Sequence, residues 1–264
     1  MSEHPHRPRK RFGQHFLCDP NVVDHIVTAV APQPEARLIE IGPGRGVLTD
    51  ALLHTGCELW AIEIDRDLAA LLERRYRDAP NFHLVTGDAL RTDYRAFVRA
   101  GQPLRVVGNL PYNISTPLLF HLLAQHELIR DMHFMLQKEV VERLAATPGT
   151  KAYGRLSVMV QYYCAVEPLF NVPPSAFAPP PKVDSAVVRL TPRAHIDPVA
   201  KDPALLENLV NLCFQQRRKT LRNCLKALVG PQHMENLGAP LSARPETLAV
   251  ADFVALSNRI GALP

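Results

Sequence analysis

The sequence predicts an α/β protein: an open, doubly wound sheet through most of the chain, followed by a small helical domain. Three observations predict it. Short apolar runs end in glycine or an acidic residue and give way to helical spacing, at Glu40-Ile41-Gly42, Glu63-Ile64-Asp65 and Gly87-Asp88-Ala89, which is the rhythm of successive β-α units. A further run, Leu104 to Gly108, ends in the polar loop Asn109-Leu110-Pro111-Tyr112, and ligands of open α/β sheets sit at the carboxyl ends of strands. Beyond Asp202 no convincing strand remains, only apolar positions at helical spacing.

Taken in order, the chain opens on a basic arm with Arg7, Arg9, Lys10 and Arg11, then a short mixed segment from Phe12 to Leu17. Asp19-Pro20 supplies a cap and a first-turn proline for a helix through Val22, Val23, Ile26, Val27 and Val30. Leu38 to Ile41 is a strand, and Gly42-Pro43-Gly44-Arg45-Gly46 turns it into a helix from Val47 to His54. Val47 stands where the dinucleotide fingerprint requires its third glycine, which disfavours a nicotinamide site. The turn then either lets a ligand approach the backbone or is a tight turn and nothing more. The next strand, Leu59 to Ile64, carries Glu63, placed roughly 20 residues beyond the first glycine, where a doubly wound fold holds ribose hydroxyls. Asp65 reads as the cap of the helix of Leu68, Leu71, Leu72 and Tyr76. Phe82 to Thr86 delivers Asp88, placed to accept a hydrogen bond from an adenine amino group.

After Tyr112, Ser115 or Thr116 caps a helix expected to open at Pro117. Met132 to Gln137 is a strand, Lys138 to Ala146 and Leu156 to Tyr163 are helices, and Val166 to Val172 with Ala186 to Leu190 form a closing antiparallel pair. Periodicity is lost from Thr191 to Asp202, which places the domain boundary between 194 and 195. Helices are expected through Leu205 to Phe214, Leu221 to Val229 and Leu248 to Ile260.

Composition excludes several classes. A hydrophobic fraction of 47% with 21% charged residues is that of a globular protein. No apolar run reaches membrane-spanning length and the amino terminus lacks a secretory apolar segment, so a cytoplasmic protein with no membrane partner is expected. The five cysteines form no C-x-x-C pair, which fits neither a disulfide framework nor a zinc site, and no metal is expected. Net charge is only +4, but Arg217, Arg218, Lys219, Arg222 and Lys226 crowd one short segment. Such a cluster can be a solvated face; together with the amino-terminal one, beside an adenine-like pocket, it favours contacts to nucleic acid phosphates.

The Asn109 loop carries the chemistry. An amide oxygen can accept from an exocyclic base amine and a tyrosine can stack on the ring, so Asn109 and Tyr112 suit an extruded adenine. The same residues fit a tight turn in which Asn109 caps backbone groups and Tyr112 packs in the core. Phe177, within the proline-rich run from Pro173 to Ser185, either presents a second aromatic face to the base or packs in the core of a rigid connector.

Gly-Gln-His-Phe-Leu from Gly13, Glu-Ile-Gly-Pro-Gly from Glu40, Gly-Asp-Ala from Gly87, Asn-Leu-Pro-Tyr-Asn-Ile-Ser-Thr from Asn109, the Phe177 to Ser185 segment and Phe-Gln-Gln-Arg-Arg-Lys-Thr-Leu-Arg-Asn from Phe214 span nearly the whole chain. Together they resemble the ribosomal RNA adenine dimethyltransferase family. The resemblance implies a Rossmann-like class I S-adenosylmethionine-dependent methyltransferase sheet over 1–194 and a helical domain over 195–264 that binds RNA or the ribosome. It implies methyl transfer from S-adenosylmethionine to the N6 amines of two adjacent adenosines in the 3′-terminal hairpin of 16S rRNA, in the immature small subunit, by a monomeric enzyme. In site terms it implies cofactor contacts from His15, Leu17, Gly42, Gly44, Glu63, Asp88, Ala89 and Asn109. Asn109, Leu110, Tyr112 and Phe177 are implied at the reacting base, and Arg217, Arg218, Lys219 and Arg222 on the RNA. His15 departs from the family, which often has asparagine there. A non-catalytic assembly checkpoint or RNA-binding module is the competing class, and intact Glu63, Asp88 and Asn109 argue against it.

Overall fold

In the computed structural model of the chain, which describes residues 15–34, 36–99, 101–215 and 219–263, the β-α units appear at their expected places. β1 (Phe16–Leu17) leads into α1 (Pro20–Val30), β2 (Arg37–Ile41), α2 (Val47–Leu53), β3 (Glu58–Glu63), α3 (Arg66–Arg75) and β4 (Phe82–Thr86). β5 (Leu104–Asn109), α4 (Ser115–Leu123), β6 (Ile129–Gln137), α5 (Lys138–Leu144), α6 (Arg155–Tyr163), β7 (Cys164–Val172), β8 (Phe177–Ala178) and β9 (Ser185–Pro192) follow. The last helices are α7 (Pro203–Gln215), α8 (Leu221–Leu225) and α9 (Val250–Ile260). Asp19 and Asp65 cap α1 and α3 as expected, each side chain accepting from the backbone N–H two residues on, at 2.9 and 3.0 Å.

Seven strands form the main sheet in the order β4-β3-β2-β5-β6-β9-β7. β4 to β6 pair in parallel and β9 runs antiparallel to β6. Leu38, Ile39, Leu59, Val106 and Val107 are fully buried, as central strands covered on both faces must be. The chain moves outward one way from β2 through β3 and β4, and the other way from β5 through β6. The loops after β2 and β5 therefore emerge side by side where the order reverses, the place at which an open sheet leaves a crevice.

Arg105 of β5 ties this sheet to α1. Its guanidinium donates to the carbonyls of Val30 and Ala31 at 2.5 and 3.3 Å and pairs with Asp131 at 3.0 Å, so a nearly buried charge finds both a counterion and the unsatisfied carbonyls of a helix end.

Three sequence expectations are corrected. Phe177 is 4% exposed, faces Leu17 across the two-stranded β1–β8 ladder, and joins a core cluster that includes Val22, Ile26 and Val172; burying its ring among these aliphatic groups outweighs presenting it to a ligand. The Cys18 N–H extends that ladder by donating to the Ala176 carbonyl at 2.9 Å. Helix α4 begins at Ser115 rather than Pro117, without a side-chain cap, because the Ser115 hydroxyl donates instead to the Tyr112 carbonyl at 3.1 Å. The second compact unit takes 142–166 as well as 193–264, larger than the 195–264 segment expected, because α6 packs with α7 and α9. Among the described residues, no helix is long and apolar enough to cross a membrane.

Candidate active site

Gly42, Gly44 and Gly46 hold φ of +68°, +59° and +83°, left-handed values that let the chain double back after β2. Gly46 is fixed by its neighbours as well. A Cβ there would lie 2.5 Å from the Tyr76 hydroxyl, which donates to Asp50 Oδ1 at 2.7 Å with the Gly46 carbonyl 3.0 Å away. The Gly44 N–H donates to Glu63 Oε2 at 3.2 Å, and Glu63 Oε1 accepts from the Asp65 N–H at 2.9 Å. Burial, at 5% exposure, raises the pKa of Glu63 while these two donors lower it, with burial dominant. Asp88 turns one oxygen to the Leu90 N–H at 2.9 Å.

Glu40 lies deeper. It is 2% exposed and accepts a 2.6 Å hydrogen bond from the Thr49 hydroxyl. Burial first, helped by the nearby carboxylates of Glu63 and Asp50, pushes its carboxyl up to about 8. An unfolded chain ionises this group near 4.5, so between 4.5 and about 8 the folded protein holds a proton that unfolding releases. Stability is therefore expected to fall as pH rises through that interval and to level off above it. In denaturant titrations at several pH values, Glu40→Gln should remove much of that slope; an unchanged slope would mean that the buried group is ionised throughout.

At the end of β5, the Asn109 Nδ2 donates to the His15 carbonyl at 3.1 Å, which turns the amide oxygen the other way. The Leu110 N–H donates to the Met135 carbonyl at 3.2 Å, continuing the β5–β6 ladder past its last strand residue. Tyr112 is half-buried, its hydroxyl 2.8 Å from Ser185 Oγ and its ring stacked with His15 at 5.8 Å between centroids.

The ends of β2, β3 and β5, the turn after β4 and the start of β1 line one cavity of about 190 Å³. It brings together His15, Leu17, Gly42, Gly44, Glu63, Asp88, Ala89, Asn109, Leu110 and Tyr112. Phe177 is not among its lining residues. Sequence reasoning missed Phe16, which lines the cavity with the Arg45 guanidinium 4.6 Å over its ring, and Thr49 beneath Glu40. Phe16 has no local signal, since its strand partner lies in β8; Thr49 was legible as a small hydroxyl on the helix after the glycine turn. In the basic segment, Arg217 and Arg218 lie outside the described residues. Lys219 is exposed, and Arg222 pairs with Glu235 at 2.6 Å.

The sequence profile of the family described as "Ribosomal RNA adenine dimethylase" matches residues 5–261. The chain belongs to the ribosomal RNA adenine dimethylases. A relative in Pseudomonas aeruginosa, "Ribosomal RNA small subunit methyltransferase A", is 56% identical over 265 residues, covering 100% of this chain and 99% of its own. Among solved structures, a dimethyladenosine transferase from Plasmodium falciparum is 30% identical, with a TM-score of 0.77 over 92% of this chain and 96% of its own. The 23S rRNA methyltransferase ErmE is 26% identical, with a TM-score of 0.67 over 93% and 99%. The dimethylase sheet described above is thus the class I methyltransferase sheet of these enzymes.

Proposed function

We propose that this dimethylase holds S-adenosylmethionine in the cavity and methylates the N6 amines of two adjacent adenosines in the 3′-terminal hairpin of 16S rRNA, giving N6,N6-dimethyladenosines in the immature small subunit. The observation that carries this reading is the orientation of Asn109, whose amide nitrogen is spent on the His15 carbonyl so that its oxygen remains to accept from a base amine.

The lining suits the cofactor. Glu40 and Glu63 are buried and line the cavity together with apolar Phe16, Ile62 and Leu90, and ionisation of a buried carboxyl is costly until a cation arrives. Glu63 keeps lone pairs for ribose hydroxyls, and Asp88 presents an oxygen to the adenine amino group. When bound, the cofactor supplies an electrophilic methyl group on a positively charged sulfur.

The remaining work falls to the chain. An adenine amine is a poor nucleophile because its lone pair is delocalised into the ring. Accepting from its two N–H bonds with the Asn109 amide oxygen and the Leu110 carbonyl favours the pyramidal form and aims the lone pair at the methyl carbon. Tyr112 stacks on the base, contributing about 1–3 kcal/mol against an extrusion cost of a few kcal/mol. Positioning is the main contribution, and with no His or carboxylate on the loop the methylated amine, first formed as a cation, would lose its proton to solvent or to the Asn109 region after methyl transfer.

Lys219 and Arg222, with Arg217 and Arg218, would hold RNA phosphates. An exposed ion pair such as Arg222–Glu235 contributes only about 0–1 kcal/mol, so the guanidinium can exchange its partner for a phosphate. Charge reversal, Lys219→Glu with Arg222→Glu, is expected to weaken RNA binding and to flatten its dependence on log salt by about one unit per lost contact. An unchanged slope in a salt series would reject the assignment.

The decisive experiment incubates undermethylated small subunits with labelled cofactor and identifies the modified nucleoside by mass spectrometry. Dimethyladenosine in the 3′-terminal hairpin is the expected product. Label confined to 23S RNA would overturn the substrate, and full biological effect from a catalytically dead variant would favour a checkpoint role.

A further inference from the structure

Ser185 opens β9 opposite Gln137 of β6 and is fully buried. Buried hydroxyls most often bond to nearby backbone, yet the Ser185 Oγ lies 2.8 Å from the hydroxyl of Tyr112, 73 residues earlier in the chain. Tyr112 is held at two further points. Its backbone carbonyl accepts from the Ser115 hydroxyl at 3.1 Å, and the His15 imidazole lies over its ring at an interplanar angle of 28°. That imidazole is itself anchored, its Nδ1 donating to the Pro179 carbonyl at 2.8 Å. Root, face and tip of the tyrosine are therefore fixed from α4, from the segment before β1, and from β9.

We infer that Ser185, by holding the Tyr112 hydroxyl, fixes where the tip of the ring on which the target adenine stacks is placed, and is a positioning residue for methyl transfer. This rests on the stacking role proposed for Tyr112. A platform locked before the base arrives adds no ordering cost to the encounter, whereas a ring free to swing at its tip must be ordered by the base itself. Ser185 does not line the cavity, so any effect on the reaction must pass through a residue that does.

The test is a kinetic cycle on the full chain with small-subunit RNA, using Ser185→Ala, Tyr112→Phe and the double variant. Each single change deletes the same hydrogen bond from a different end. Each is expected to lower kcat/KM for RNA roughly fivefold, the size of one net hydrogen bond, with cofactor affinity unchanged and the double variant no worse than either single one. Additive losses would overturn the inference. So would a Ser185→Ala loss matched by an equal loss of cofactor affinity, which marks a structural role. If Ser185→Ala fails to fold, Tyr112→Phe still decides, because it leaves β9 untouched and its full activity would equally overturn the inference. Tyr112→Ala separates the two levels: normal methylation by that variant would sink the stacking role itself, whereas loss confined to Tyr112→Ala, with Ser185→Ala and Tyr112→Phe unaffected, would sink only the part assigned to Ser185.

Discussion

Asn109→Ala is expected to lower the rate of methyl transfer by about 10²–10³-fold, the range seen when one preorganised hydrogen-bonding group is removed from a developing charge. In the proposed reaction the amide oxygen acts only as the amine pyramidalises, so its contribution would belong to the transition state rather than to cofactor binding. Single-turnover transfer measured alongside calorimetric titration with the cofactor separates the two. Transfer should collapse while affinity for S-adenosylmethionine stays close to that of the parent. Equal loss of both would show that the Nδ2 bond to the His15 carbonyl is the whole of its role and that Asn109 is a structural residue.

Gly108→Ala is expected to be the most damaging single-methyl change on this strand. A Cβ there would lie 2.6 Å from the Ile41 carbonyl oxygen and 3.1 Å from Leu110 Cδ2. The first of these atoms belongs to the backbone of the neighbouring strand and cannot swing aside. β2 and β5 would have to part where the two site loops emerge, costing at least the roughly 1–3 kcal/mol typical of overpacking. An unfolding free energy lowered by that amount in denaturant titration, accompanied by weaker cofactor binding, is the expected result. A variant as stable as the parent would mean that the strands have more slack than their packing shows.

Much of this architecture was legible because it is local. Strand ends at Gly42, Glu63, Asp88 and Asn109 announce themselves by an apolar run giving way to a polar residue and then to helical spacing, and the caps at Asp19 and Asp65 need only their own next two residues. What escaped depends on partners far along the chain. Phe177 in its proline-rich crossing reads equally as a face for the base or as a core residue until its pairing with Leu17 is known. The Asn109 amide is oriented by a carbonyl 94 residues earlier. Likewise, 142–166 sits between two strands of the sheet in sequence but packs with helices from the other end of the chain, and apolar spacing on α6 reveals a buried face without naming what covers it.

The pairing of β1 with β8 also bears on how the protein is made. His15, Phe16 and Leu17 leave the ribosome among the first described residues, yet they are seated by the carbonyls of Ala176 and Pro179 and by the strand between them. A nascent chain that has emerged only as far as β6 holds every strand-end acidic group and the Asn109 loop but lacks the strand on which Phe16 and Leu17 are seated. The entropic cost of closing so long a loop is met only once β8 has emerged, late in synthesis. The cavity wall built by His15, Phe16 and Leu17 is therefore seated only after β8 has paired with β1.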